Sequence, residues 1–69
     1  MTLIWEPDAT IRVTLENGAL ILSANEAGLV SLSRHLLSLA KQTAGSHLHL
    51  DDSNALEDGS AELILEKTE

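Results

Sequence analysis

The sequence of 69 residues contains no cysteine, only four basic side chains and a single aromatic residue, Trp5. Without cysteine the chain can form neither a disulfide nor a thiolate metal site. Eleven acidic residues bring the formal charge to −7, whereas binding to phosphate needs clustered lysine and arginine. We therefore expect no nucleic-acid partner, and a basic protein or a cation would complement this charge.

Long hydrophobic runs are also missing from the sequence. No run approaches the roughly 18 apolar residues that a membrane-spanning helix needs. The N-terminus has no basic stretch followed by a long apolar core, and Glu6 and Asp8 come early, so no signal peptide is predicted. These absences predict a cytoplasmic location without membrane association.

Aliphatic residues supply most of the hydrophobic share of 43%, which is too high for a disordered chain. A chain of this length forms one domain and buries only about 60% of the surface that it exposes when unfolded. We therefore predict a single small domain over residues 1–69 with a thin core.

The N-terminal third of the chain predicts an extended lead-in followed by a hairpin. The lead-in covers residues 1–9 and packs Trp5 over an edge of the core. Residues 10–23 form the hairpin, whose first strand points every second residue from Ile11 to Leu15 to one side. Asn17-Gly18 between the strands suits a type I′ turn, which needs positive φ at both central positions.

The pattern becomes helical over residues 25–43, with Asn25 as the N-cap, or Ser23 if the helix starts earlier. At 100° per residue the apolar side chains share about half of the helix surface, and this half should face the sheet. The predicted core-facing set is Leu29, Val30, Leu32, Leu36, Leu37, Leu39 and Ala40. Gly28 in the first turn costs about 1 kcal/mol relative to alanine unless it permits close packing.

Residues 46–67 predict the last two strands. In the first of them two leucines alternate with two histidines and an aspartate, so one face joins the core and the other faces outward. The outward side chains are His47, His49 and Asp51. A polar loop with Leu56 as its apolar anchor leads to the final strand, residues 60–67.

The order of elements is therefore ββαββ, and the predicted fold class is α+β. One helix with an apolar half can cover one face of a four-stranded, largely antiparallel sheet. The opposite face would be mixed in character and open to a partner or to a second copy. Its predicted members are Arg12, Thr14, Ile21, His47, His49, Glu62, Ile64 and Glu66.

The histidine pair is the main candidate for metal chemistry. Side chains two residues apart on a strand project about 6.5–7 Å from each other. His47 and His49 could hold a divalent metal with a third ligand from Glu62, Glu66 or His35. Plain solvated surface is the competing interpretation, so we assign no metal, and a small metal-binding module stays an alternative.

Features of an enzyme are absent from the sequence. No nucleophile stands out, no glycine-rich phosphate loop is present, and the small core leaves little room for a deep pocket. The acidic loop also lacks the ligand spacing of an EF-hand. We therefore predict a non-enzymatic binding protein without a cofactor. The residues predicted to bind a protein partner are His47, His49, Asp51, Asp52, Glu57, Asp58 and Glu62. A homodimer through Ile21 and Ile64, or through an edge strand, is the remaining alternative.

The C-terminal half resembles a known family. Gly-Ser-His-Leu-His-Leu-Asp at residues 45–51, followed by Leu-Glu-Asp-Gly-Ser-Ala-Glu-Leu at residues 56–63, is similar to the immunity protein 32 family of bacterial polymorphic toxin systems. The likeness covers roughly residues 25–67. It implies a cytosolic antidote that binds a cognate toxin and neutralises it by occlusion, and a basic toxin would suit the negative charge.

Overall fold

The computed structural model describes residues 5–69. In this part of the chain one helix and four strands follow the order ββαββ, which confirms the α+β class. The elements are β1 (Ile11–Glu16), β2 (Ala19–Ala24), α1 (Glu26–Ala40), β3 (His47–Leu50) and β4 (Leu63–Glu66). Within residues 5–69, α1 and the remaining structure provide no helical segment with the length and hydropathy of a membrane span.

The predicted lead-in is described only in its second half, because residues 1–4 lie outside the described part of the chain. Residues 6–9 form a turn rather than an extended segment, and the N–H of Ala9 donates to the carbonyl of Glu6 (3.0 Å). Pro7 occupies the second position of this turn, where its fixed φ is favourable. Trp5 is half-buried and packs against the core, as expected.

The predicted single four-stranded sheet is not found among the described residues. β1 pairs with β2 and β3 pairs with β4, each antiparallel, so the strands form two separate two-stranded sheets. The β1–β2 hairpin turns at Asn17 and Gly18, which have φ values of 51° and 79°. These positive values at both central residues confirm the predicted turn.

An irregular segment in front of β4 separates the two sheets. The N–H of Glu57 donates to the carbonyl of Ile11 (2.8 Å), and that of Ala61 donates to the carbonyl of Val13 (2.7 Å). The two donors lie four residues apart in the segment, whereas their two acceptors lie only two residues apart in β1. Residues of a regular β ladder pair one to one, so this segment cannot continue the sheet. The N–H of Val13 donates to the Ser60 hydroxyl oxygen (3.2 Å). A side chain thus replaces the backbone acceptor that a continuous sheet would need.

The core lies where the two sheets and the helix meet. It is formed by aliphatic side chains of which less than a tenth is exposed, and the central cluster is Ile11, Val13, Leu32, Leu50 and Leu56. Leu48 is also buried, as its alternation with the histidines predicts. The alternation fails at the turn end of β1, since Leu15 is 68% exposed although it shares a side with Ile11 and Val13.

The helix buries a different face from the predicted one. Its buried residues are Gly28, Ser31, Leu32, His35 and Leu39. Of the predicted core-facing set, only Leu32 and Leu39 are buried. The exposed large members of that set are Leu29, Val30, Leu36 and Leu37. At 100° per residue, the buried face is therefore centred about 140° away from the exposed aliphatic side chains.

The segment before β1 accounts for this orientation. The N–H of Glu6 donates to the hydroxyl oxygen of Ser31 (3.0 Å), so a polar side chain is satisfied while almost fully buried. The ring centroids of Trp5 and His35 lie 4.5 Å apart. Periodicity places His35 at the margin of the apolar half of the helix. Arg34 forms an exposed ion pair with Glu6 (2.8 Å).

Both ends of α1 are held by side chains. Asn25 is the N-cap, as predicted, and its side-chain oxygen accepts from the N–H of Gly28 (2.8 Å). The helix ends at Ala40, earlier than predicted. The Lys67 ammonium donates to the carbonyls of Ala40 (2.7 Å) and Gln42 (2.6 Å). A cation on these terminal carbonyls is favourable and ties the helix to the segment after β4.

Candidate functional site

The segment that joins β3 to β4, residues 51–62, carries most of the predicted binding residues. We call it the acidic connection, because it holds five of the eleven acidic residues and none of the four basic ones. Its acidic residues are Asp51, Asp52, Glu57, Asp58 and Glu62. This concentration of one sign of charge produces a negative potential that can attract a basic surface.

The first half of the acidic connection is a turn held by side chains. One carboxylate oxygen of Asp51 accepts from both the N–H (2.9 Å) and the hydroxyl (2.7 Å) of Ser53. The side chain of Asn54 accepts from the N–H of Asp51 (2.9 Å) and donates to the carbonyl of His49 (2.8 Å). Such local bonds substitute for strand pairing and fix the course of the loop.

The second half of the acidic connection is anchored to the core and to β1. Leu56 is 6% exposed and belongs to the core cluster, as predicted. Glu57 bonds β1 through its backbone, and the guanidinium of Arg12 donates to the carbonyl of Asp58 (3.1 Å). Gly59 adopts φ +84°, a conformation that L side chains rarely adopt. These contacts hold the acidic connection in one conformation. A partner that binds it would therefore lose little free energy to ordering the loop.

Three predicted site residues come together at the end of β3. The Nε2 atom of His49 lies 2.6 Å from a carboxylate oxygen of Glu62. His49, Glu62 and Asp51 each offer one potential metal-ligand atom, and these three atoms lie within 4.8 Å of one another. His49 and Glu62 are about half exposed, so this cluster is a surface feature.

The cluster changes the ionisation of two of its members. The hydrogen bond to Glu62 is the main cause that raises the pKa of His49, and the charges of Glu62 and Asp51 act in the same direction. The bonds from Ser53 lower the pKa of Asp51. The His49–Glu62 contact therefore stabilises the fold below the ordinary histidine pKa, and its contribution is lost as pH rises through the raised value. The Asp51 contribution is lost as pH falls through its lowered value.

The other predicted residues lie outside this cluster. His47 is exposed on the same strand, opposite Glu66 in the register of β3 and β4. It is not a member of the group of potential ligands, which consists of His49 and the carboxylates of Asp51 and Glu62. Asp52 and Asp58 are exposed, and Glu57 is half-buried.

Sequence reasoning missed several residues that shape the site. Ser53 and Asn54 hold the turn around Asp51, and the spacing of Asp51 and Ser53 is typical of an Asx-turn that could have been found locally. The roles of Ser60 and Arg12 depend on contacts 46 or 47 residues apart. No local pattern contains that information.

The fold and the site together define a class of protein: a small α+β domain that presents a fixed, acidic loop. The family model of Immunity protein 32 matches residues 19–68. The chain therefore belongs to the immunity protein 32 family, which confirms the resemblance of its C-terminal half. No curated protein and no solved structure matches the chain significantly.

Proposed function

We propose that this chain is an immunity protein that binds a cognate bacterial toxin in the cytoplasm and neutralises it by occlusion. The observation that carries the proposal is the family match, which spans residues 19–68. An immunity protein acts by binding, so it needs a complementary surface rather than a catalytic centre. The fold supplies two kinds of exposed surface, one acidic and one aliphatic.

The acidic connection is the surface that we assign to the toxin. Its five carboxylates complement a basic partner, such as a nuclease, whose substrate is itself negatively charged. Long-range attraction of this kind raises the rate of association, and contact charges set the register of the complex. Asp52 and Asp58 are exposed, and neither carboxylate forms an ion pair or hydrogen bond within residues 5–69. Both are therefore available to a partner.

Charge reversal at Asp52 and Asp58 tests this assignment. The double variant Asp52→Lys, Asp58→Lys should bind the toxin roughly 10- to 100-fold more weakly, because two attractive contacts become repulsive. The partner in this measurement is the cognate toxin, purified as an inactive variant. Isothermal titration calorimetry gives the Kd. Stopped-flow mixing at two salt concentrations shows whether slower association accounts for the weaker binding.

The matched control is Asp8→Lys, Glu16→Lys, which removes two exposed acids outside the acidic connection. Each replacement changes the charge by two, so both double variants go from −7 to −3. The control should keep its Kd within about threefold, since distant charges are screened. An equal loss of affinity in both double variants would mean that overall charge, and not the acidic connection, attracts the toxin. An absence of any complex would contradict the proposal itself.

A second candidate function is binding of a divalent cation, and the grouping of His49, Asp51 and Glu62 favours it. One nitrogen and two carboxylate oxygens form a ligand set that zinc accepts, at ligand distances of about 2.0–2.2 Å. Their mutual separation of at most 4.8 Å requires only small side-chain movements to reach those distances. The Asp51 oxygen that Ser53 does not occupy is the available ligand atom.

Zinc titration followed by NMR of the histidine rings tests this function. We expect stoichiometric zinc to shift the ring resonances of His49, and we expect His49→Ala to abolish binding because it removes the only nitrogen ligand of the cluster. His47→Ala is the control, since this neighbouring ring lies outside the group of ligands. Unchanged His49 resonances at stoichiometric zinc, or loss of binding in His47→Ala, would contradict the assignment.

A further inference from the structure

Helix α1 carries an aliphatic face with no partner in the described part of the chain. Leu29, Val30, Leu36 and Leu37 are between 40% and 63% exposed. Together with the exposed small residues Ser33 and Ala40 they form what we call the apolar stripe. Their spacing of three and four residues is that of a seam along which two helices pack.

The apolar stripe is nearly symmetric about Ser33. Leu29 and Leu37 lie four residues on either side of it, and Val30 and Leu36 lie three residues on either side. The Ser33 hydroxyl donates to the carbonyl of Val30 (2.7 Å). Burial of Ser33 would therefore leave no unpaired donor, and its small side chain allows two helices to approach closely where they cross.

The charges around the stripe are compatible with a second copy of this chain. No acidic residue occurs between residues 27 and 50, so the negative charge of the protein is carried by other segments. Glu26 begins the helix and Lys41 follows its last residue. In an antiparallel pair centred on Ser33, Glu26 of one protomer lies next to Lys41 of the partner subunit, and the second copy repeats this contact.

We infer that the apolar stripe is the interface of a two-fold symmetric homodimer with antiparallel α1 helices. Leu29 packs next to Leu36 of the partner subunit, and Val30 packs next to Leu37 of the partner subunit, because these pairs lie on the same side of the seam. A single pair of helices buries less than the about 1,200 Å² of a standard interface, so we expect a weak, reversible dimer. The interface differs from the predicted Ile21 and Ile64 contact, whose residues belong to separate sheets. It uses no residue of the acidic connection and goes beyond the proposed function.

Sedimentation equilibrium of the full chain over rising concentration tests the dimer. The mass should increase from that of a 7.4 kDa monomer to twice that value. Leu37→Arg should weaken dimerisation at least about tenfold, because it places a charge in the seam. Leu15→Arg is the matched control: it has the same change in charge and similar exposure, 68% against 63%, but lies on the hairpin. It should dimerise like the natural sequence.

The charges at the helix ends test the antiparallel arrangement without changing the stripe. Glu26→Lys and Lys41→Glu should each weaken dimerisation severalfold, because each creates two like-charged contacts. The double variant Glu26→Lys, Lys41→Glu should restore it. Circular dichroism checks that the helix content is unchanged in each variant. A monomer at millimolar concentration, or equal dimerisation by Leu37→Arg and the natural sequence, would overturn the interface. Failure of the charge swap to restore dimerisation would overturn the antiparallel arrangement.

Discussion

Replacing Leu32 with alanine is expected to lower the free energy of unfolding by about 3 kcal/mol. Leu32 is 9% exposed and belongs to the core cluster. Alanine would remove buried methyl groups and leave a cavity that the thin core can fill only partly. For a domain of this size each kcal/mol corresponds to roughly 4–8 °C, so the loss should be plain in a thermal melt followed by circular dichroism.

Leu37→Ala is the matched control, because it is the same substitution in the same helix at a residue that is 63% exposed. Its effect should stay within about 0.5 kcal/mol when measured at a concentration low enough to keep the chain monomeric. Helix propensity changes equally in the two variants, so the difference reports burial alone. Equal losses in both would mean that the predicted core-facing half of the helix, and not the observed one, packs against the sheets.

Gly28→Ala should also destabilise the fold, by about 3 kcal/mol. A Cβ atom at Gly28 would lie 2.5 Å from the carbonyl oxygen of Thr10 and 3.1 Å from the capping oxygen of Asn25. The Thr10 carbonyl accepts from the N–H of Asn25 (3.2 Å), so backbone movement away from the new methyl group would disturb that bond. Both the helix cap and the junction between β1 and α1 would be strained.

The direction in which Gly28→Ala changes the free energy of unfolding distinguishes close packing from helix propensity. Helix propensity alone predicts that alanine stabilises an exposed helical position by about 1 kcal/mol relative to glycine. Ser38→Ala, at an exposed position of the same helix, is the control and should be neutral or slightly stabilising. Chemical denaturation with unchanged m-values would give the comparison. A more stable Gly28→Ala variant would show that the close approach to Thr10 does not exist.

Elements that depend on neighbouring residues could be predicted from the sequence. The alternation in β1 and β3 correctly predicts that Ile11, Val13, Leu48 and Leu50 are buried, because successive side chains on a strand point to opposite faces. The turn at Asn17-Gly18 and the cap at Asn25 follow from backbone conformation and hydrogen bonding within a few residues.

The packing of the elements could not be predicted in the same way. The buried face of α1 depends on the turn before β1, which brings Glu6 to Ser31 and Trp5 to His35. Separation of the sheets depends on the hydroxyl of Ser60. It accepts from the N–H of Val13, 47 residues earlier in the chain, in place of a backbone carbonyl. Periodicity identifies an apolar face but not the segment that covers it.

The candidate site was only partly predictable for a related reason. The acidic loop and the outward position of His49 follow from composition and alternation. Grouping of His49 with Glu62 depends on the register of β3 against the segment before β4, and register is set by tertiary packing. The outward position of His49 could therefore be predicted from the sequence, but its contact with Glu62 could not.

The most direct test of the central claim is an NMR titration of the isotope-labelled chain with an inactive variant of the cognate toxin that the proposal requires. We expect the amide resonances of residues 49–62 to shift or broaden first and most strongly, because the acidic connection and the adjacent end of β3 form the contact. Perturbations confined to residues 29–40 of α1, with residues 49–62 unchanged, would contradict it.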